Sequence, residues 1–303
     1  MFNKFSYGGS IMLKLENICF SYEKQNKILK NISLDIKKGA KTVFLGENGS
    51  GKSTLFFLLN GLLKPDSGEI YFNGEKLKYK KKDLENLRKK VGIVFQDPEV
   101  QIFAPTVYQE IAYGLQNLDY SNEKIEEKIS EISAELNMKK LLEKPCHHLS
   151  YGQKKRVTIA SVLILQPEII IVDEPTAGQD LFHYREIMEF LKQLNGYGIT
   201  ILFITHDMHL MREYTDKAYV FNDGKVIKKG NPAEILADRS ILEEANLKET
   251  SLHYMAEKAG HAWFDDLDVS RIDIGSHKHQ LVKDGAYVAK YKMTIPKELY
   301  NYE

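Results

Sequence analysis

The segment Gly46-Glu47-Asn48-Gly49-Ser50-Gly51-Lys52-Ser53-Thr54 limits what this chain can fold into more than any other stretch. It fits G-x-x-x-x-G-K-S and stands between a short apolar run at 41–45 and a dense apolar run at 52–63. Strand, glycine-rich loop, then helix is the context that gives this motif its meaning. Glycines let backbone N–H groups close around a phosphate, and the helix N-terminus adds partial positive charge there. In this arrangement Lys52 pairs with β- and γ-phosphate oxygens and Ser53 ligates Mg²⁺. Gly46, Asn48, Gly49, Ser50, Gly51 and Thr54 complete the nucleotide-binding loop. A second apolar run, Ile169-Ile170-Ile171-Val172, ends in Asp173-Glu174-Pro175. Two adjacent acids at a strand end suit two tasks: Asp173 holding a magnesium-bound water and Glu174 polarising the attacking one.

Around these motifs the chain alternates strands and helices. Residues 13–20 and 32–36 alternate like half-buried strands, and 68–72 followed by Asn73-Gly74 predicts a strand and turn. Strands are expected at 91–95, 168–172 and 200–204, a helix at 181–194, and a hairpin over 219–228 turning at Asp223-Gly224. That alternation indicates a parallel α/β sheet. Residues 106–166 are rich in Glu and Lys with helical periodicity, most clearly at 122–136, and predict a helical insertion. The pattern weakens after residue 238, although 280–293 suggests a hairpin around Asp284-Gly285.

Composition narrows the functional classes. Lys plus Arg total 42 and Asp plus Glu total 42, so a general nucleic-acid binder, which is normally basic, is disfavoured. The longest apolar runs fall far short of the ~18–20 residues that cross a bilayer, and the opening MFNKFSYGGSIM lacks the apolar run of a secretory signal. Cys19 and Cys146 give no disulfide framework and no paired ligand spacing, which suits a cytosolic chain. His253, His261, His277 and His279 form only weak metal spacing. Trp263 and Phe264 read as the core of a small appended domain.

Leu149-Ser150-Tyr151-Gly152-Gln153 resembles the LSGGQ signature of ATP-binding-cassette (ABC) ATPases, and further family elements follow in order. Gln96 follows the strand at 91–95 as the Q-loop glutamine does, Ala177-Gly178-Gln179-Asp180 matches the D-loop, and His206 matches the switch histidine. Tyr22 occupies the place of the aromatic that stacks on adenine. The resemblance implies a P-loop NTPase core with an antiparallel β subdomain, a helical subdomain at about 97–166 and a small C-terminal extension. The units expected are an extension at 1–11, a cassette at 12–238 and a small domain at 239–303. It also implies a mechanism. Two cassettes face head to tail, and ATP is sandwiched between the phosphate loop of one and Ser150, Gly152 and Gln153 of the other. Glu174 is then the base, His206 holds the γ-phosphate and the water, and Gln96 contacts Mg²⁺ and the water. Two positions depart from the family pattern: Tyr151 replaces the first glycine of the signature, and Gln179 stands where Leu is common.

The segment from Gln96 to Val107, continuing into Glu110-Ile111-Ala112-Tyr113-Gly114, closely resembles the ATPases of energy-coupling-factor (ECF) transporters, which import vitamins and transition metals such as cobalt. In that group the stretch helps form a groove for a helix of the transmembrane coupling subunit, so Gln101, Phe103 and Val107 are expected on the docking surface. The resemblance implies a peripheral subunit at the cytoplasmic face of the cell membrane. Its partners would be a second ABC ATPase, identical or paralogous, the coupling subunit and, indirectly, a substrate-binding membrane subunit. The alternative is a soluble ABC ATPase acting as a mechanical factor on ribosome or DNA. A small-molecule kinase has no use for residues 150–153.

Overall fold

The computed structural model describes residues 9–23, 26–175 and 181–247. The expected D-loop at 177–180, the hairpin at 280–293, the four tail histidines and Trp263 lie outside the described residues. In chain order the elements are β1 (Ile11–Ser21), β2 (Lys27–Lys37), β3 (Lys41–Leu45), α1 (Lys52–Leu59), β4 (Ser67–Phe72), β5 (Glu75–Lys76), α2 (Lys81–Lys90) and β6 (Val91–Val94). The insertion contributes α3 (Pro98–Gln101), α4 (Val107–Gln116), α5 (Asn122–Glu135) and α6 (Tyr151–Leu163). Then come β7 (Ile169–Asp173), α7 (Leu181–Gly196), β8 (Thr200–Ile204), α8 (Met208–Tyr214), β9 (Lys217–Asn222), β10 (Lys225–Gly230), α9 (Pro232–Leu236) and α10 (Arg239–Glu244).

Two sheets organise these elements. The central six-stranded sheet has the order β10-β9-β3-β8-β7-β6, and a four-stranded sheet has the order β2-β1-β4-β5. In the central sheet β6, β7, β8, β3 and β9 run parallel, and β10 closes the edge antiparallel to β9. The second sheet is antiparallel throughout. Alternation along the central strands divides the core. Phe44, Ile169, Ile171, Leu202, Ile204, Tyr219 and Phe221 pack with α1 and the antiparallel sheet. Val43, Leu45, Ile170, Val172, Ile201, Phe203 and Val220 pack with the helices on the other face. Both faces are covered, which is why 169–172 reads as continuous Ile and Val rather than alternation.

Local chemistry sets the differences from expectation. The helix after the phosphate loop stops at Leu59, not residue 63, because Gly61 turns left-handed (φ 70°) and the N–H groups of Leu62 and Leu63 both bond the Phe57 carbonyl. Helix α2 is short and mostly charged: Leu84 and Leu87, one turn apart, are its only apolar residues, and Leu87 is its one buried residue, too little of a stripe to stand out in the sequence. The first part of the expected C-terminal domain belongs to the cassette core: Leu242, Ala245 and Leu247 are buried in the same cluster as β9 and α9. No described helix is long and apolar enough to cross a membrane.

Candidate nucleotide site

The register of the parallel strands gathers the site at their carboxyl ends. Phe44 pairs with Ile204, Ile204 with Asp173, and Val94 with Val172. The phosphate loop, His206, Asp173-Glu174 and Gln96 therefore leave adjacent strands at one edge, where ligands bind in open α/β sheets.

The loop from Gly46 to Lys52 needs glycine at its two tightest points. Gly46 has φ 146°, and a Cβ there would lie 2.4 Å from the Phe221 carbonyl oxygen. Gly51, at φ 100°, would set a Cβ 2.7 Å from Leu29. Lys52, the first residue of α1, is buried and donates through Nζ to the carbonyls of Gly46 (2.8 Å) and Glu47 (2.7 Å) and to Ser50 Oγ (3.2 Å). Burial pulls its pKa down, against the charges of Glu174, Asp173 and Glu47, which hold it up. Ser50 and Thr54 are buried, while Asn48, Gly49 and Ser53 are exposed. Tyr22 stands beside the same turn: its hydroxyl lies 3.2 Å from Thr54 Oγ1, its ring packs edge-on against Phe20 and it is 59% exposed.

The acid pair is divided by environment. Asp173 is half-buried, and burial, then the neighbouring Glu174 charge, push its pKa up to about 6 against the pull of Lys155 and Lys52. Glu174 is buried with a left-handed backbone (φ 39°), a conformation that costs a non-glycine residue energy and recurs at functional sites. Its carboxylate accepts from Thr205 Oγ1 (2.8 Å) and the His206 backbone N–H (3.2 Å), and Oε1 lies 2.7 Å from His206 Nδ1. The His206 ring is largely exposed, so its other nitrogen faces outward from this bonded pair. Asp207 caps α8, accepting from His209 and Leu210. The donor set fits a small hard cation: the Ser53 hydroxyl, the Asp173 carboxylate and the Gln96 amide would all offer it oxygen.

The signature segment opens α6 and meets this edge only through the loop of Gln96. Ser150 caps α6, accepting from the Gln153 N–H while the Gln153 side chain accepts from the Ser150 N–H. Gln153 is thus committed to the helix cap. Ser150 is exposed and Gly152 buried. The residues expected to dock a membrane partner also divide. Val107 is fully buried in the helical core, and Gln101 is turned inward, accepting from Phe95 N and donating to the Ile93 carbonyl. Neither offers a docking surface, because Val107 opens α4 against the core and Gln101 holds the end of β6. Phe103 is turned outward, at 63% exposure, with two residues the sequence did not single out: Val100 at 76% and Tyr113, whose ring meets Phe103 edge-on at 4.5 Å. Buried Glu110 fixes this patch by accepting from the backbone N–H groups of Phe103 and Ala104. Lys155, also unremarked in sequence, is buried beneath Gln96.

A glycine-rich loop opening a helix beside an Asp-Glu strand end, in a sheet with an antiparallel partner and a helical insertion, defines an ATP-binding cassette. The family model described as ABC transporter matches residues 29–177. The energy-coupling factor transporter ATP-binding protein EcfA of Methanocaldococcus jannaschii is 44% identical over 246 residues, 81% of this chain and 88% of its own. EcfA3 of Clostridium perfringens is 39% identical over 282 residues, 90% of this chain and 99% of its own. Among solved structures, cbiO1 of Clostridium perfringens, described as part of the ABC transporter complex cbiONQ, superposes with a TM-score of 0.71 at 40% identity, covering 82% of this chain and 99% of that one. A dimeric post-hydrolysis cassette bound to ADP and Pi gives 0.66 at 30% identity, covering 73% and 99%. The chain belongs to the ABC family as the ATP-binding, ATP-hydrolysing subunit of an ECF-type transporter. A second family model, described as a transcriptional regulator, the AbiEi antitoxin of a type IV toxin–antitoxin system, matches residues 241–296. Of that span the structure describes 241–247, where Leu242, Ala245 and Leu247 pack into the cassette core.

Proposed function

We propose that this chain works in pairs, head to tail, at the cytoplasmic face of a membrane, and that ATP binding and hydrolysis drive import of a vitamin or a transition metal ion such as cobalt through a separate membrane subunit. Lys52 and the backbone N–H groups of 46–53 bind the β- and γ-phosphates, and Tyr22 stacks on adenine. The partner's signature segment closes over the γ-phosphate. Ser53, Asp173 and Gln96 hold Mg²⁺, which supplies charge neutralisation at the phosphates when bound. Glu174 takes a proton from the attacking water, and His206, held by Glu174 through Nδ1, orients the γ-phosphate. Closing the pair on ATP and opening it after hydrolysis gives the membrane subunits a two-state drive.

The observation carrying the transport reading is the exposed patch of Val100, Phe103 and Tyr113, placed directly after Gln96. Apolar side chains held outward by a buried carboxylate suit a helix of a membrane partner. The test is to tag the chain, solubilise its host's membranes in mild detergent and identify what co-purifies. A polytopic membrane protein, with or without a second cassette, supports the reading, and the small membrane protein found with it names the cargo. Recovery of ribosomal or nucleic-acid-bound proteins alone replaces it with the soluble-factor reading.

A further inference from the structure

Helix α6 grips the loop that carries Gln96 from its first two turns. The Tyr151 hydroxyl donates to the Gln96 carbonyl at 3.0 Å. Lys155 Nζ donates to the carbonyls of Phe95 (2.6 Å) and Gln96 (2.9 Å). Lys154 pairs with Glu99 on α3. Tyr151 and Lys155 are four residues apart and so lie on one helix face. Lys155 is 1% exposed. Burying an ammonium is costly unless its donors are satisfied, and here Nζ donates to two main-chain carbonyls of a single loop. The other end of that loop is held by Gln101, which bonds Phe95 N and the Ile93 carbonyl. The Gln96 carbonyl thus has two donors from the signature helix, while its side chain stands at the carboxyl edge of the sheet.

We propose that Tyr151 and Lys155 are positioning residues that lock Gln96 to the signature helix, so that the loop serving this chain's own ATP and the helix end serving the partner's ATP move as one body. The inference rests on the head-to-tail reading and deepens it: the clamp is a path within one chain between the two nucleotide sites of the pair. It also gives Tyr151 a role, since a glycine at that position has no hydroxyl to offer. The ring is 36% exposed, so Tyr151→Phe removes the bond and leaves the packing.

The test uses the full-length chain. Steady-state ATPase rates are measured against ATP concentration for wild type, Tyr151→Phe, Lys155→Arg, Lys155→Met and the Tyr151→Phe/Lys155→Met double variant. Affinity for a fluorescent ATP analogue and the thermal midpoint are measured alongside. Tyr151→Phe is expected to lower kcat about fivefold, the factor of one neutral hydrogen bond, and to bring the Hill coefficient toward one. Nucleotide affinity and thermal midpoint stay at wild-type values. Lys155→Arg retains activity, Lys155→Met loses it, and the double variant loses less than the product of the singles, because both side chains act on one carbonyl. A Tyr151→Phe chain with wild-type kcat and Hill coefficient overturns the clamp and leaves the ATPase reading intact, whether or not Lys155→Met folds. A wild-type chain that hydrolyses ATP with a Hill coefficient of one removes the paired-site reading, and the clamp's linkage with it.

Discussion

The phosphate loop and the signature segment are both helix N-termini suited to phosphate, yet they are built in opposite ways. At the phosphate loop the chain closes on itself: Lys52 is buried, bonded to the carbonyls of Gly46 and Glu47, and the glycines admit backbone contacts no side chain allows. At the signature, Ser150 caps its own helix and remains exposed, while Tyr151, Lys154 and Lys155 turn away to hold the loop of Gln96 and Glu99. In the proposed pair, one end is a finished half-site and the other a half-site on a lever. Anion-binding geometry alone does not separate them; what each end is bonded to does.

The largest expected effect lies on the phosphate-loop side. Glu174→Gln should lower kcat on the order of 10²–10⁴-fold, the usual weight of a general base, while ATP still binds. Size-exclusion chromatography should then find an ATP-trapped pair, and turnover at the wild-type rate would remove Glu174 from the role of base.

Mixing inactive chains tests the signature side next. Lys52→Ala should abolish activity through the phosphate loop. Ser150→Asp keeps an equally good helix cap but sets a carboxylate against the partner's γ-phosphate. Each alone is expected to be inactive, and mixing the two should restore ATPase activity, because a mixed pair holds one intact composite site. Mixtures as silent as their components would break the head-to-tail comparison.

A smaller effect is thermodynamic. Folding raises the Asp173 pKa to about 6, so the folded chain holds that proton more tightly than the unfolded one. Stability is therefore lost as pH rises through that range, and the full cost is present above it. Asp173→Asn removes the cost: without nucleotide the variant should be more stable than wild type at pH 7.5 by about 1–2 kcal/mol, allowing for partial solvation. The difference should vanish near pH 4, while hydrolysis falls. Thermal melts at the two pH values check the sign.

The smallest effect concerns the last described residues of the cassette. Asn246 Nδ2 donates to Glu47 Oε2 at 3.1 Å, an exposed bond onto the phosphate loop. Asn246→Ala should change stability by less than about 0.5 kcal/mol and ATP affinity less than about twofold. A larger shift in affinity alone would show that the tail reports on the nucleotide.

Much of the fold was legible because its periods are strong. The runs 41–45, 169–173 and 200–204 are apolar on both faces and form β3, β7 and β8. Helix α2 was hidden by its charge, and the end of α1 by a turn at Gly61 that the apolar run 62–63 disguised. Around the site, Asp173 and Glu174 were legible as acids closing an apolar strand, and Gln96 and His206 only through the resemblance to ABC ATPases; that all four leave adjacent strands is a matter of the folded sheet's order and register. Spacing could not assign Gln101, Val107 and Lys155. Whether an amide faces out or a lysine is buried depends on which helix packs over it.

What the sequence by itself determined is the chemistry available at the strand ends: glycines where Cβ atoms cannot go, a lysine and a serine at a helix start, and two acids closing an apolar strand. These are local requirements, fixed by backbone conformation and residue type. Tertiary structure alone decided the partnerships across the chain: the carboxylate of Glu174 on Thr205 and His206, the outward patch at Phe103, and the Gln96 carbonyl held by Tyr151 and Lys155 from more than fifty residues away. Those bonds join segments with no periodicity in common: the pairing of β7 with β8 brings Glu174 to Thr205 and His206, and the packing of α6 against the end of β6 brings Tyr151 and Lys155 to Gln96.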